Sequence, residues 1–164
     1  MTELVIRTLG PFMGKLYSSD CFDSFLLESA VVKTGVTWTL DAHLNKSFYP
    51  EHEWNDPAVR PYELAEWKAI RPLCRELVKG TRAPVSFRFD FCLKPEFVPK
   101  TLGEQNQTLP VSSLRLSVRY DGSRAAVITG VAYSGFTLDR DGEKLWDRAA
   151  ARFLEHHGIE YDIA

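Results

Sequence analysis

No stretch of this chain is long and apolar enough to cross a bilayer as a helix. The best run, Ala125 to Tyr133, covers nine residues and is interrupted by Thr129 and Gly130, against the roughly 20 that a span requires. The amino-terminal Met1-Thr2-Glu3-Leu4 has neither a basic region nor an apolar stretch of signal-peptide length, so no secretory signal is expected. Cysteine is scarce. Cys21, Cys74 and Cys92 are the only three and show no close spacing, which argues against a disulfide framework and for reduced thiols in the cytoplasm. Neither sign of charge dominates: 20 Lys and Arg face 22 Asp and Glu, a formal net of −2. A protein that coats nucleic acid by bulk positive charge is thereby excluded. Also missing are a phosphate-binding loop, a Gly-x-Ser-x-Gly elbow, a Cys-x-x-Cys pair and a His-Glu-x-x-His helix, each of which would have signalled a specific chemistry. There are no internal repeats and no low-complexity segments.

What is present is ordinary globular material, with 45% hydrophobic, 26% charged and 12% aromatic residues, enough to build a well-filled core. One domain is expected over 1–164. Leu4 to Arg7 reads as a short strand, and Gly10-Pro11 opens a short helix to about Tyr17, with proline in the first turn where its missing N–H costs little. Ser24 to Lys33 and Val36 to Leu44 read as two strands around Thr34-Gly35, with Val36, Trp38, Leu40 and Ala42 on one face. Residues 45–60 form a long irregular stretch. A helix follows within Pro61 to Lys79; Pro72 inside it predicts either a kink or a start a few residues earlier. Val85, Phe87, Phe89, Phe91 and Leu93 alternate with Ser86, Arg88, Asp90 and Cys92, the clearest strand in the chain. Pro95 to Pro110, with the consecutive amides Gln105, Asn106 and Gln107, reads as a helical turn and a mobile loop. Val111 to Tyr120 and Arg124 to Tyr133 are strands around the hairpin signal Asp121-Gly122. The second is apolar on both faces, so it is expected to be central and covered on both sides. Glu143 to His157 is the last helix, with Leu145, Trp146, Ala149, Ala150, Phe153 and Leu154 as its apolar stripe and Gly158 as its cap. Tight hairpins plus covering helices predict an α+β fold, a mainly antiparallel sheet of about five to seven strands with about three helices packed against it.

The candidate chemistry is thin. His43, Glu51, His52, Glu53 and Asp56 gather in the long loop, but adjacent loop residues seldom converge on one ion, and no metal site is expected. Cys92 lies on the polar side of its strand beside Arg88 and Asp90; a nearby guanidinium can favour a thiolate, but a half-buried structural thiol is the simpler assignment. No catalytic residue and no cofactor is assigned, which leans away from an enzyme. An enzyme of unrecognised type, using Cys92 or His43, is the third hypothesis.

Charge placement is more informative than charge balance. Residues 1–67 carry 5 basic and 10 acidic groups, residues 68–124 carry 11 and 5, and residues 125–164 carry 4 and 7. Lys68, Arg71, Arg75 and Lys79 fall at helical spacing on a stripe about 80° wide. Arg82 continues it, and Arg88, Arg115 and Arg119 would extend it if the polar sheet face adjoins. Such a stripe suits an anion or nucleic acid, or else a solvated face paired with the protein's own acids. Upstream, Phe48, Tyr49, Trp54 and Tyr62 stand among Glu51, Glu53, Asp56 and Glu63. An aromatic, acidic loop beside a basic helix suits a protein–protein contact, or the rings cap the edge of the core.

Several phrases together carry a resemblance: Ser19-Asp20-Cys21-Phe22-Asp23-Ser24-Phe25-Leu26-Leu27, Arg71-Pro72-Leu73-Cys74 and Lys79-Gly80-Thr81-Arg82-Ala83-Pro84, followed by Arg119-Tyr120-Asp121-Gly122, Phe136-Thr137-Leu138-Asp139 and Phe153-Leu154-Glu155-His156-His157-Gly158-Ile159. With them the chain resembles a family of small bacterial proteins, largely from gut-type Gram-positive anaerobes, catalogued as a domain of unknown function. The resemblance implies a bacterial, single-domain, cytoplasmic protein and brings no activity, cofactor or catalytic residue. The leading expectation is a non-enzymatic binding or assembly module that uses its charge-segregated and aromatic surfaces. Its expected partner is a second copy or another protein, with nucleic acid as the alternative and no membrane.

Overall fold

Alternating residues send Phe87, Phe89 and Phe91 to one side of their strand and Arg88 and Asp90 to the other, and the first set is buried while Arg88 is exposed. The computed structural model of the protein describes residues 1–106 and 108–164, with Gln105 described by its backbone alone. Along the chain run β1 (Glu3–Ile6), α1 (Leu9–Ser18), β2 (Phe25–Lys33), β3 (Thr37–Asp41), the one-turn α2 (Glu51–Trp54), β4 (Ala65–Glu66), α3 (Trp67–Val78) and β5 (Ser86–Leu93). The short α4 (Val98–Leu102), β6 (Val111–Tyr120), β7 (Ala125–Tyr133), α5 (Asp141–His156) and β8 (Tyr161–Ile163) follow.

Among the described residues the strands form one eight-stranded sheet in the order β3-β2-β5-β6-β7-β1-β8, with β4 paired to β2 off that path. Every pairing is antiparallel. The fold is therefore α+β, with slightly more strands than expected. The additions are β4 and β8, of two and three residues, too short to show a period.

The three longer helices lie on the same face. Tyr17 of α1 meets Phe87 and Phe89 edge-on at 5.8 and 5.9 Å. Trp67 of α3 meets Phe89 and Phe91 at 5.2 and 5.0 Å. Trp146 and Phe153 of α5 meet Phe25 at 6.4 and 5.5 Å. The opposite face carries no helix of this set. This corrects the expectation for β7: it is an interior strand, but only one of its faces is covered by a helix. On the open side it carries Ala126, Ile128, Gly130 and Ala132, three of them small, and Ala126 is buried opposite Arg119 across the ladder.

Two further local expectations resolve physically. Helix α3 begins at Trp67, so Pro72 is its sixth residue and the helix runs through it unbroken to Val78; one backbone bond is lost there. The stretch 45–60 contains a 3₁₀ turn at Lys46–Phe48 as well as α2. Between β5 and β6 lie a 3₁₀ turn at Pro95–Phe97, α4, and a second 3₁₀ turn at Glu104–Asn106. The third amide of that stretch, Gln107, lies outside the described residues. No helix among the described residues is long and apolar enough to cross a membrane.

Candidate functional site on the open face of the sheet

A bulge builds the site. The pairing of β2 with β5 is in register from Phe25 to Leu27, slips at Glu28, and resumes at Ser29 opposite Asp90. The extra residue frees the Glu28 side chain on the open face, where the Arg115 guanidinium of β6 donates to its carboxylate at 2.8 Å. The Cys92 thiol faces the same carboxylate oxygen at 3.8 Å, and Arg115 also donates to the Ser113 hydroxyl at 3.1 Å. Beside them Asp90 accepts the hydroxyls of Ser29 and Ser117 at 3.0 and 2.8 Å and pairs with Arg88 at 3.2 Å.

The chain segment between β3 and β4 closes one side of this polar cluster. His43 bridges to Leu64, and the Leu44 N–H donates to the Glu63 carbonyl at 3.0 Å. The result is a groove of about 410 Å³ into which Glu28, His43, Tyr62, Cys92 and Arg115 converge, over apolar walls that include Leu26 and Val98. Its rim is tied down. The Tyr62 hydroxyl donates to Glu96, and Lys94 pairs with Glu66 at 2.8 Å while standing 5.6 Å over the Tyr62 ring. The His43 ring pairs with Asp41 at 2.6 Å, which holds the Asp41 carboxyl below its usual range.

Burial raises the Cys92 thiol to about 11, with Glu28 and Asp90 adding to the rise and Arg115 opposing it. At neutral pH it is a protonated donor, not a thiolate nucleophile. Glu28 is already engaged by Arg115. The groove therefore presents hydrogen-bonding groups of both signs over apolar walls, which suits recognition. Among the described residues no three His, Cys, Asp or Glu side chains gather as a metal site would need.

The residues singled out from sequence separate into three places. Lys68, Arg71 and Arg75 lie on α3, and Lys79 is the extended residue that follows its last turn. Arg71 turns inward to Asp23 at 3.1 Å, both side chains about one-fifth exposed, and Lys79 pairs with Glu76 one turn back at 3.1 Å. Lys68, Arg75 and Arg82 are exposed. Arg88, Arg115 and Arg119 stand on the other face of the sheet from α3, so they do not prolong the stripe. In the second place, Phe48, Tyr49 and Trp54 form an aromatic string with centroids 5.5 and 5.8 Å apart. Arg60 caps it, with its guanidinium 3.7 Å from the Trp54 ring centroid, donating to the carbonyls of Trp54 and Tyr62. Tyr62 itself belongs to the groove, the third place. His43 and Cys92, considered singly, also meet there. Glu28 carries only a faint sequence signal, an acid inside the mainly apolar run Phe25-Leu26-Leu27-Glu28-Ser29-Ala30-Val31-Val32.

The model of a family described as Family of unknown function (DUF5721) matches residues 15–162. No curated protein and no solved structure matches the chain.

Proposed function

Because the chain belongs to this family of unknown function, membership brings no activity with it, and we propose that the protein is a binding module whose ligand site is the groove on the open sheet face. The observation that carries this is the convergence of Glu28, His43, Cys92 and Arg115, from three strands and the β3–β4 connection, in one walled concavity. The matching ligand is a small molecule bearing hydrogen-bond donors and acceptors. Three free, buried cysteines support a cytoplasmic setting, and the resemblance supports a bacterial one. The test is a titration of isotope-labelled protein with polar small molecules, amino acids and dicarboxylates among them, followed by amide shifts. Shifts should cluster at Glu28, Cys92, Ser113 and Arg115. Arg115→Ala should weaken binding about tenfold or more, the size of one lost charge-assisted hydrogen bond. Ligands that shift only other regions, or that bind the variant equally well, would sink the proposal.

Self-assembly is a second reading, supported by one specific observation. Neither Lys68 nor Arg75 of α3 pairs with any carboxylate of the acidic loop, and Glu51, Glu53 and Asp56 make no ion pair among the described residues. Phe48, 82% exposed, projects from that loop. The loop of one copy thus complements the helix of another. Sedimentation at low salt should show association that high salt or Phe48→Ala abolishes. A strict monomer would end this reading, and a labelled oligonucleotide bound at low salt would reassign Lys68, Arg75 and Arg82 to nucleic acid.

A further inference from the structure

A second concavity opens on the helical side of the sheet, where α4 and α5 meet the start of β2 and the end of β5. It encloses about 370 Å³, at the lower end of the range of small-molecule sites, about 300–1,000 Å³. Its lining is aromatic: Phe25 and Trp146 are buried, Phe153 is half-buried, and Phe97 is 39% exposed. The Trp146 indole N–H is already satisfied by the Arg115 carbonyl at 2.8 Å, so the ring turned to the cavity makes no further demand for a polar partner.

The charge is one-sided. Lys100 of α4 and Arg152 of α5 line the cavity, and among the described residues no Asp or Glu does. Both cations are exposed, and neither takes part in an ion pair among the described residues. This contrasts with the open-face groove, where Arg115 is neutralised by Glu28. An aromatic slot with two uncompensated cations at its edge recognises an amphipathic anion: the apolar body replaces water on the rings, and the charged end meets the guanidinium and ammonium groups.

We propose that the cavity between α4 and α5 binds an apolar carboxylate, its ring or chain against Phe25, Trp146 and Phe153 and its carboxylate between Lys100 and Arg152. The site is independent of the open-face groove, although Leu93 lines both.

The probe is naphthalene-2-carboxylate, with naphthalene-2-methanol as its uncharged match, followed by calorimetry and by the indole N–H resonance of Trp146. The carboxylate should bind at least about tenfold more tightly than the alcohol and lose affinity with added salt. The double variant Lys100→Glu and Arg152→Glu alters only exposed side chains and should remove that preference. Ala149→Trp, on the cavity-lining face of α5, should exclude both compounds while leaving binding at Glu28 and Arg115 untouched. Equal affinity for carboxylate and alcohol, a preference that survives the double charge reversal, or no shift of the Trp146 indole at millimolar carboxylate would each overturn the proposal.

Discussion

Asp121 heads the four-residue turn between β6 and β7, and its carboxylate accepts the backbone N–H groups of Ser123 and Arg124 and the Ser123 hydroxyl, all at 2.9 Å. These donors hold its carboxyl down to about 2, against about 3.9 in an unfolded chain. The folded value is the lower one, so the stabilisation is complete above the unfolded value and disappears as pH falls through about 4 towards 2. Asp121→Ala should be less stable than the parent at pH 7 in urea unfolding. The gap should narrow steadily below about pH 5; a gap of constant size down to the lowest pH at which both fold would refute this account. The turn tolerates little else. Gly122 has φ of 99°, and a Cβ there would lie 3.0 Å from the Val85 carbonyl oxygen. The Asp121-Gly122 pair was readable as a turn because the Asp121 hydrogen bonds and the positive φ of Gly122 are local, whereas the approach of Val85 to Gly122 comes from the fold.

At the scale of elements, α1 and α5 use glycine in opposite ways. Gly14 is inside α1 with no neighbour within 4 Å of a Cβ and no positive φ. Gly14→Ala should therefore raise the urea midpoint, by as much as about 1 kcal/mol in stability. Gly158 follows α5 with φ of 68°. Its N–H bonds to the Glu155 carbonyl at 3.0 Å, and that of Ile159 bonds to the Leu154 carbonyl at 2.9 Å, while Ile159 and Leu154 are both buried. That is a Schellman cap, and Gly158→Ala should cost about 1 kcal/mol in the same assay. A gain at Gly158 or a loss at Gly14 would contradict the assignment. Element by element, the chain was largely legible. The alternation from Phe87 to Leu93 and from Leu114 to Tyr120, and the stripe of α5, each express a period within one segment. Edge position was not legible. Val36 and Trp38 alternate like core residues, yet β3 is an edge strand and they are 58% and 44% exposed. Alternation reports which face a residue takes, and the neighbours that cover that face come from elsewhere in the chain.

At the scale of the molecule, the core is held together by rings from distant segments. Phe22, in the connection between α1 and β2, is fully buried. It touches Phe12 of α1, Phe25 of β2, Phe91 of β5 and Phe153 of α5 at centroid distances of 5.3 to 6.3 Å. Phe22→Ala should destabilise the fold by about 3–5 kcal/mol, since no single element can relax into the space. A loss below about 1 kcal/mol in urea unfolding would mean that the helical layer collapses independently of the sheet.

Composition, periodicity and turn chemistry determined the α+β class, the antiparallel hairpins, the face that β5 and β6 turn to the core and the three longer helices, because each of these is settled by interactions spanning a few residues. Which charges remain available was decided only in three dimensions. Arg71 is consumed by Asp23, 48 residues away, and Arg115 by Glu28, 87 residues away; such distances are closed by sheet register and helix packing. The same packing set Lys100 and Arg152 beside an aromatic cavity that no acid among the described residues lines. A near-zero net charge concealed all of this, since electrostatic partners are chosen by proximity in the fold and not by order along the chain.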